Sequence, residues 1–90
     1  MDYEARVVGL RGNYALIRWE GRKFPSLSIQ GDSLAIFAET LAEAGAELAR
    51  GNLEDAAFAL LEGSRTVTDM RKAYEEMVSE VGTPTALFSE

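Results

Sequence analysis

Ninety residues make one small domain, which buries a modest share of its surface and gains from association with another chain. At 47% hydrophobic and 27% charged, the composition is globular and not disordered. The chain has no Cys and no His, which excludes disulfides, thiolate nucleophiles, Cys- or His-ligated metals and the commonest general base.

The net charge of -6 is unevenly spread. Residues 1–31 hold five cations against three carboxylates, whereas residues 32–90 hold four against twelve. An acidic half disfavours nucleic acid and favours a basic protein partner. No apolar run reaches the length of a membrane span. The polar start Met1-Asp2-Tyr3-Glu4 does not read as a signal peptide, so the expected location is the cytoplasm.

In chain order, Ala5-Arg6-Val7-Val8-Gly9-Leu10 is short and β-branched, which predicts a strand. Arg11-Gly12-Asn13 predicts a tight hairpin turn, because Gly and Asn tolerate positive φ. Tyr14 to Trp19 is the second strand, with Ala15, Ile17 and Trp19 on one face and Tyr14, Leu16 and Arg18 on the other. A polar turn, Glu20-Gly21-Arg22-Lys23, leads to a third strand from Phe24 to Gln30, with Pro25 at its start or on an edge.

Gly31-Asp32-Ser33 ends the sheet, and Asp32 or Ser33 is placed to cap a helix. The first helix is expected from about Ser33 to Arg50, with Leu34, Ala38, Leu41, Gly45 and Leu48 as its inward stripe. Gly51 and Asn52 stop it and start the next. In the second helix, Ala56, Leu60, Gly63, Val67, Met70, Tyr74, Met77 and Val81 keep an unbroken four-three spacing. One helix from Leu53 to Val81 is therefore expected despite Gly63, ended by Gly82-Thr83-Pro84. A tail follows whose Leu87 and Phe88 dock or fray. At 1.5 Å per residue the two helices are about 27 and 43 Å long, so residues 71 to 81 overhang the first. Their Tyr74, Met77, Val78 and Val81 need cover, from the sheet or from a second subunit. We expect a homodimer built on them. Gly45 falls opposite Phe58, whose ring would fill the space that the glycine leaves.

No catalytic constellation is visible. Asp32-Ser33 reads as a cap rather than a nucleophile and base, and Gln30-Gly31-Asp32-Ser33 has too few glycines for a phosphate loop. Neither an enzyme nor a cofactor is expected. Glu39, Glu43 and Glu47 recur at i, i+4 and form an acidic strip for a basic partner. Glu54, Asp55 and Glu62 on the second helix do not complete a metal-binding pattern. Arg18, Arg22 and Lys23, with Trp19 and Phe24, form a basic, aromatic turn that could neutralise and stack on nucleic acid.

The segments Arg22-Lys23-Phe24-Pro25 and Ile29-Gln30-Gly31-Asp32-Ser33-Leu34, with Tyr74-Glu75 and Gly82-Thr83-Pro84, resemble a family of small uncharacterised bacterial proteins classed as a domain of unknown function. Ser26 stands where that family usually has glycine. Gln30-Gly31-Asp32-Ser33-Leu34 is also similar to the strand-to-helix junction of HicB-like antitoxins. This chain departs from them in its short interval after Phe24-Pro25, its lack of a Leu-Pro-Gly segment, and a long helix in place of the fourth strand and DNA-binding tail. That similarity implies a module that blocks a small basic toxin.

The expected whole is a single α+β domain, with a three-stranded antiparallel meander over 4–30, a helical hairpin over 33–81 and a tail over 82–90. The expected function is non-catalytic protein binding of the antitoxin or immunity type through the acidic helices. The alternatives are a nucleic-acid module using the basic turn, and a structural or regulatory homodimer.

Overall fold

The computed structural model describes residues 4–81. Strands β1 (Ala5–Arg11), β2 (Tyr14–Trp19) and β3 (Ser26–Ile29) precede helices α1 (Gly31–Ala49) and α2 (Leu53–Val81). The strands form one antiparallel sheet in the order β1-β2-β3, so the chain has the expected α+β fold. The stop at Gly82-Thr83-Pro84 and the tail contacts of Leu87 and Phe88 lie outside the described residues. The chain forms two compact units, the sheet with the last part of α2 from Met70, and residues 31–69.

In the sheet unit, Gly12 and Asn13 link β1 to β2, with φ 59 at Gly12 and no positive φ at Asn13. Positive φ at the first central residue alone is the type II′ turn, whose twist suits a hairpin. The next turn uses Gly21 at φ 80, and the Arg22 N–H donates to the Trp19 carbonyl at 3.2 Å. β3 is shorter than expected. Pro25 has no N–H for the ladder, and pairing runs only from Ser26 to Ile29.

The central strand β2 places Leu16 at 0% exposure, and Leu16, Ala73, Met77 and Val78 form the core. Val8, Tyr14, Leu27 and Tyr74 pack around them. Each fully buried large side chain here contributes about 1.5–3 kcal/mol. The strand β1 shifts register between Val7 and Gly9, and a Cβ at Gly9 would stand 3.1 Å from Met77 Sδ. Glycine occupies that strand interior because α2 comes close there. The Tyr74 hydroxyl donates to the Pro25 carbonyl at 2.7 Å, and the Arg11 guanidinium is paired with Glu76 and Glu80.

The end of α2 is therefore covered by the sheet. Met77 and Val78, each 1% exposed, are not available to a second subunit, and Tyr74 is bonded to Pro25. Of the four residues expected at a dimer contact, only Val81 is exposed, at 38%.

In the hairpin unit, α1 begins at Gly31, so Asp32 lies inside the first turn rather than at the cap. Its carboxylate accepts the Ser33 N–H at 2.8 Å, which satisfies one of the unpaired donors at the helix start. At the other end Gly51 has φ 82. The Gly51 N–H donates to the Leu48 carbonyl at 3.1 Å, and the Asn52 N–H to the Glu47 carbonyl at 2.9 Å. This is the paired bonding of a Schellman ending, with glycine at the left-handed position. Helix α2 is continuous through Gly63, as its unbroken spacing predicts.

The rotation of the helices differs from expectation. On α1 the more buried positions are Ser33, Phe37, Thr40, Ala44 and Glu47, each one residue before the expected stripe. On α2 they are Ala56, Ala59, Gly63 and Thr66. At the turn, Glu47 Oε1 accepts from Asn52 Nδ2 at 2.8 Å and from Arg50 Nη1 at 2.6 Å, which holds the last of these α1 positions toward the loop. A Cβ at Gly63 would come within 2.8 Å of Leu41 Cδ2, so glycine marks where the α1 side chains lie against α2. Gly45 has nothing within 4 Å of a built Cβ and Phe58 is 65% exposed, so the ring does not fill that space.

Candidate functional site

The hairpin sorts its residues by position. The residue after each buried position on α1 is uncharged: Leu34, Ala38, Leu41, Gly45 and Leu48. On α2 the same rule gives Ala57, Leu60, Ser64 and Val67. At 100° per residue these fall on one side of each helix, and antiparallel pairing brings both sets to the same face of the hairpin. A groove of about 430 Å³ runs along it, lined by Leu41, Ala44, Gly45, Leu48, Leu53, Ala56, Ala57 and Leu60.

The residue before each buried position is mostly charged. On α1 these are Asp32, Glu39 and Glu43, with Ile36 among them, and on α2 Asp55, Glu62, Arg65 and Asp69, with Phe58 among them. The same geometry puts them on the opposite face. Glu39 and Glu43 are exposed and bond no other side chain of the described residues. Ile36 and Phe58, 64% and 65% exposed, stand within this acidic surface.

The three expected partner-binding glutamates therefore separate. Glu39 and Glu43 share the open acidic face. Glu47 is engaged in the turn, where the Asn52 amide and then Arg50 hold its carboxyl below the ordinary range. Sequence reasoning did not join Asp55 and Glu62 to Glu39 and Glu43 as one surface, nor see Ile36 and Phe58 within it. The signal was their place one residue before the small residues of the inner face. Among the described residues no cluster of three metal-ligating side chains occurs.

The basic turn is a distinct surface on the sheet unit. Arg22 and Lys23 are exposed there, with Lys23 Nζ 5.5 Å above the Phe24 ring. A depression of about 520 Å³ is lined by Trp19, Glu20, Arg22, Phe24 and Ser26. Arg18 joins Arg6 and Arg22 beside Glu4 and Glu20, so carboxylates are interleaved with the cations. No helix among the described residues is long and apolar enough to cross a membrane.

No curated protein and no solved structure matches the chain. Residues 2–86 match the model of a family of unknown function, DUF6959, and the chain belongs to that family.

Proposed function

We propose that the protein is a non-catalytic protein-binding module whose acidic hairpin face takes a basic partner. The observation that carries this reading is the acidic face itself, with Glu39, Glu43, Asp55 and Glu62 around the exposed side chains of Ile36 and Phe58. Carboxylates steer a basic protein and set its orientation, while an apolar residue inside a charged rim supplies the desolvated anchor of a binding surface. An antitoxin or immunity protein that covers a small basic toxin is the form of this role that the charge pattern fits. Engagement of Glu47 in the turn narrows the contact to Glu39 and Glu43 on α1. The basic turn is the weaker candidate for nucleic acid, because Glu4 and Glu20 share the surface of Arg18, Arg22 and Lys23 and oppose phosphate.

The test is capture of partners by the immobilised full-length chain over a salt series, beside a Glu39→Lys/Glu43→Lys variant. A basic protein that is released by salt and lost with the charge reversal is expected. No partner, or one indifferent to both changes, contradicts the reading.

A further inference from the structure

The hairpin has an interior too small for its own leucines. In residues 31–69 the buried hydrophobic side chains are Ala44, Ala56 and Ala59. Leu34, Leu41, Leu48, Leu53 and Leu60 keep between 42% and 66% of their surface. Alanine offers little apolar area to offset the entropy of ordering two helices. The groove face of the single chain is left without cover.

We infer that the occupant is a second copy of this chain, related by a two-fold axis, so that two hairpins join groove to groove in a four-helix arrangement. Three observations select a copy over a different protein. The first is charge. Residues 31–69 hold eight carboxylates against two arginines, so two copies repel through almost any surface. The groove lining is uncharged, Glu47 at the end of the buried stripe is bonded to Asn52 and Arg50, and Glu39, Glu43, Asp55 and Glu62 fall on the opposite face. The second is shape. Gly45 leaves open space in the middle of the groove, between Leu41 and Leu48, and isologous pairing sets identical surfaces against each other with small residues allowing close approach. The third is area. From Leu34 to Leu48 the face is about 21 Å long and about 20 Å across, from 1.5 Å per residue and about 10 Å per helix. That is about half of the roughly 800 Å² per partner that a standard interface buries, the size of a weak dimer that forms and parts with concentration.

The dimer expected on Tyr74, Met77, Val78 and Val81 is thereby moved to a different face. This assignment does not rest on the acidic-face reading and fails separately from it.

The test is the mass of the full-length protein in solution, by light scattering and sedimentation equilibrium over a hundredfold range of concentration. Twice the 9.8 kDa chain mass is expected, falling toward one chain only at the dilute end. Gly45→Glu puts a charge into the groove at a position with open space in the single chain. It is expected to give a monomer that keeps its β-sheet signature, and Leu41→Glu/Leu60→Glu the same with reduced helicity. Glu39→Lys/Glu43→Lys, on the other face, is expected to leave the mass at two chains. A monomeric parent at all concentrations overturns the inference, as does a dimer that survives Gly45→Glu.

Discussion

The sheet unit and the hairpin unit solve the same problem differently. The sheet is covered by the end of α2, with Leu16, Met77 and Val78 at 0–1% exposure. The hairpin has an interior of alanines and a glycine, with leucines left outside. Both draw on one helix with one unbroken period. Along α2 the buried side chains change from Ala56, Ala59 and Gly63 to Met70, Ala73 and Met77. At one end the buried positions of α2 are small, and the side chains of Leu41 and Phe37 on α1 reach Gly63. At the other end Ala73, Met77 and Val78 pack with Leu16 of the sheet and complete a core. The comparison separates a part of the chain whose large apolar side chains are buried from a part whose leucines are exposed in the single chain.

The comparison breaks most sharply at its two cores. Leu16→Ala is expected to cost about 2–5 kcal/mol in chemical denaturation, as for a fully buried leucine. Leu60→Ala, on a residue 59% exposed, should cost under about 0.5 kcal/mol if the hairpin stands alone. A loss approaching that of Leu16→Ala, growing with protein concentration, would show that the groove face is covered. Next in size is Gly63→Leu. A side chain there pushes into Leu41, and about 1–3 kcal/mol of destabilisation is expected from overpacking.

Tyr74→Phe sharpens the sheet side. It removes a 2.7 Å bond to the Pro25 carbonyl, and about 0.5–1.5 kcal/mol should be lost. Burial raises the Tyr74 pKa above its ordinary 10.0. The folded state therefore holds this proton more tightly than the unfolded chain. Its contribution is complete below pH 10 and falls as pH rises through the folded value, a slope that Tyr74→Phe should remove from alkaline denaturation curves.

The smallest expected effect is at the hairpin turn. Glu47 has a lowered pKa because Asn52 and Arg50 bond its charged form. Its contribution is present above the ordinary value of 4.5 and fades as pH falls through the folded one. Acid titration of stability should be shallower in Glu47→Gln than in the parent. An unchanged slope would mean that the turn is held by its backbone bonds alone.

The strands, the turns at Gly12 and Gly21, the stop at Gly51 and the continuity of α2 were legible, because each rests on local chemistry or on a period that does not slip. The rotation of α1 was not. Ser33, Phe37, Thr40, Ala44 and Glu47 repeat with the same four-three spacing as Leu34, Ala38, Leu41, Gly45 and Leu48, and hydrophobicity alone selects the leucines. The observed rotation shows in the Glu47–Asn52 bond across the loop and in the contact of Leu41 and Phe37 with Gly63, neither of which periodicity encodes. The cover over Met77 was also hidden, though Gly9 inside a β-branched strand was its trace. Of the candidate site, Glu39 and Glu43 were legible from their spacing. Their union with Asp55 and Glu62 depended on the helix rotation and was not.

The most direct measurement is hydrogen–deuterium exchange of the full-length chain at two concentrations, above and below dissociation. Protection of residues 34–48 and 53–67 should rise with concentration while that of β1–β3 and residues 70–78 stays constant. Protection independent of concentration in the hairpin, or a uniform rise over both units, would contradict the division between a finished sheet and a hairpin completed by association.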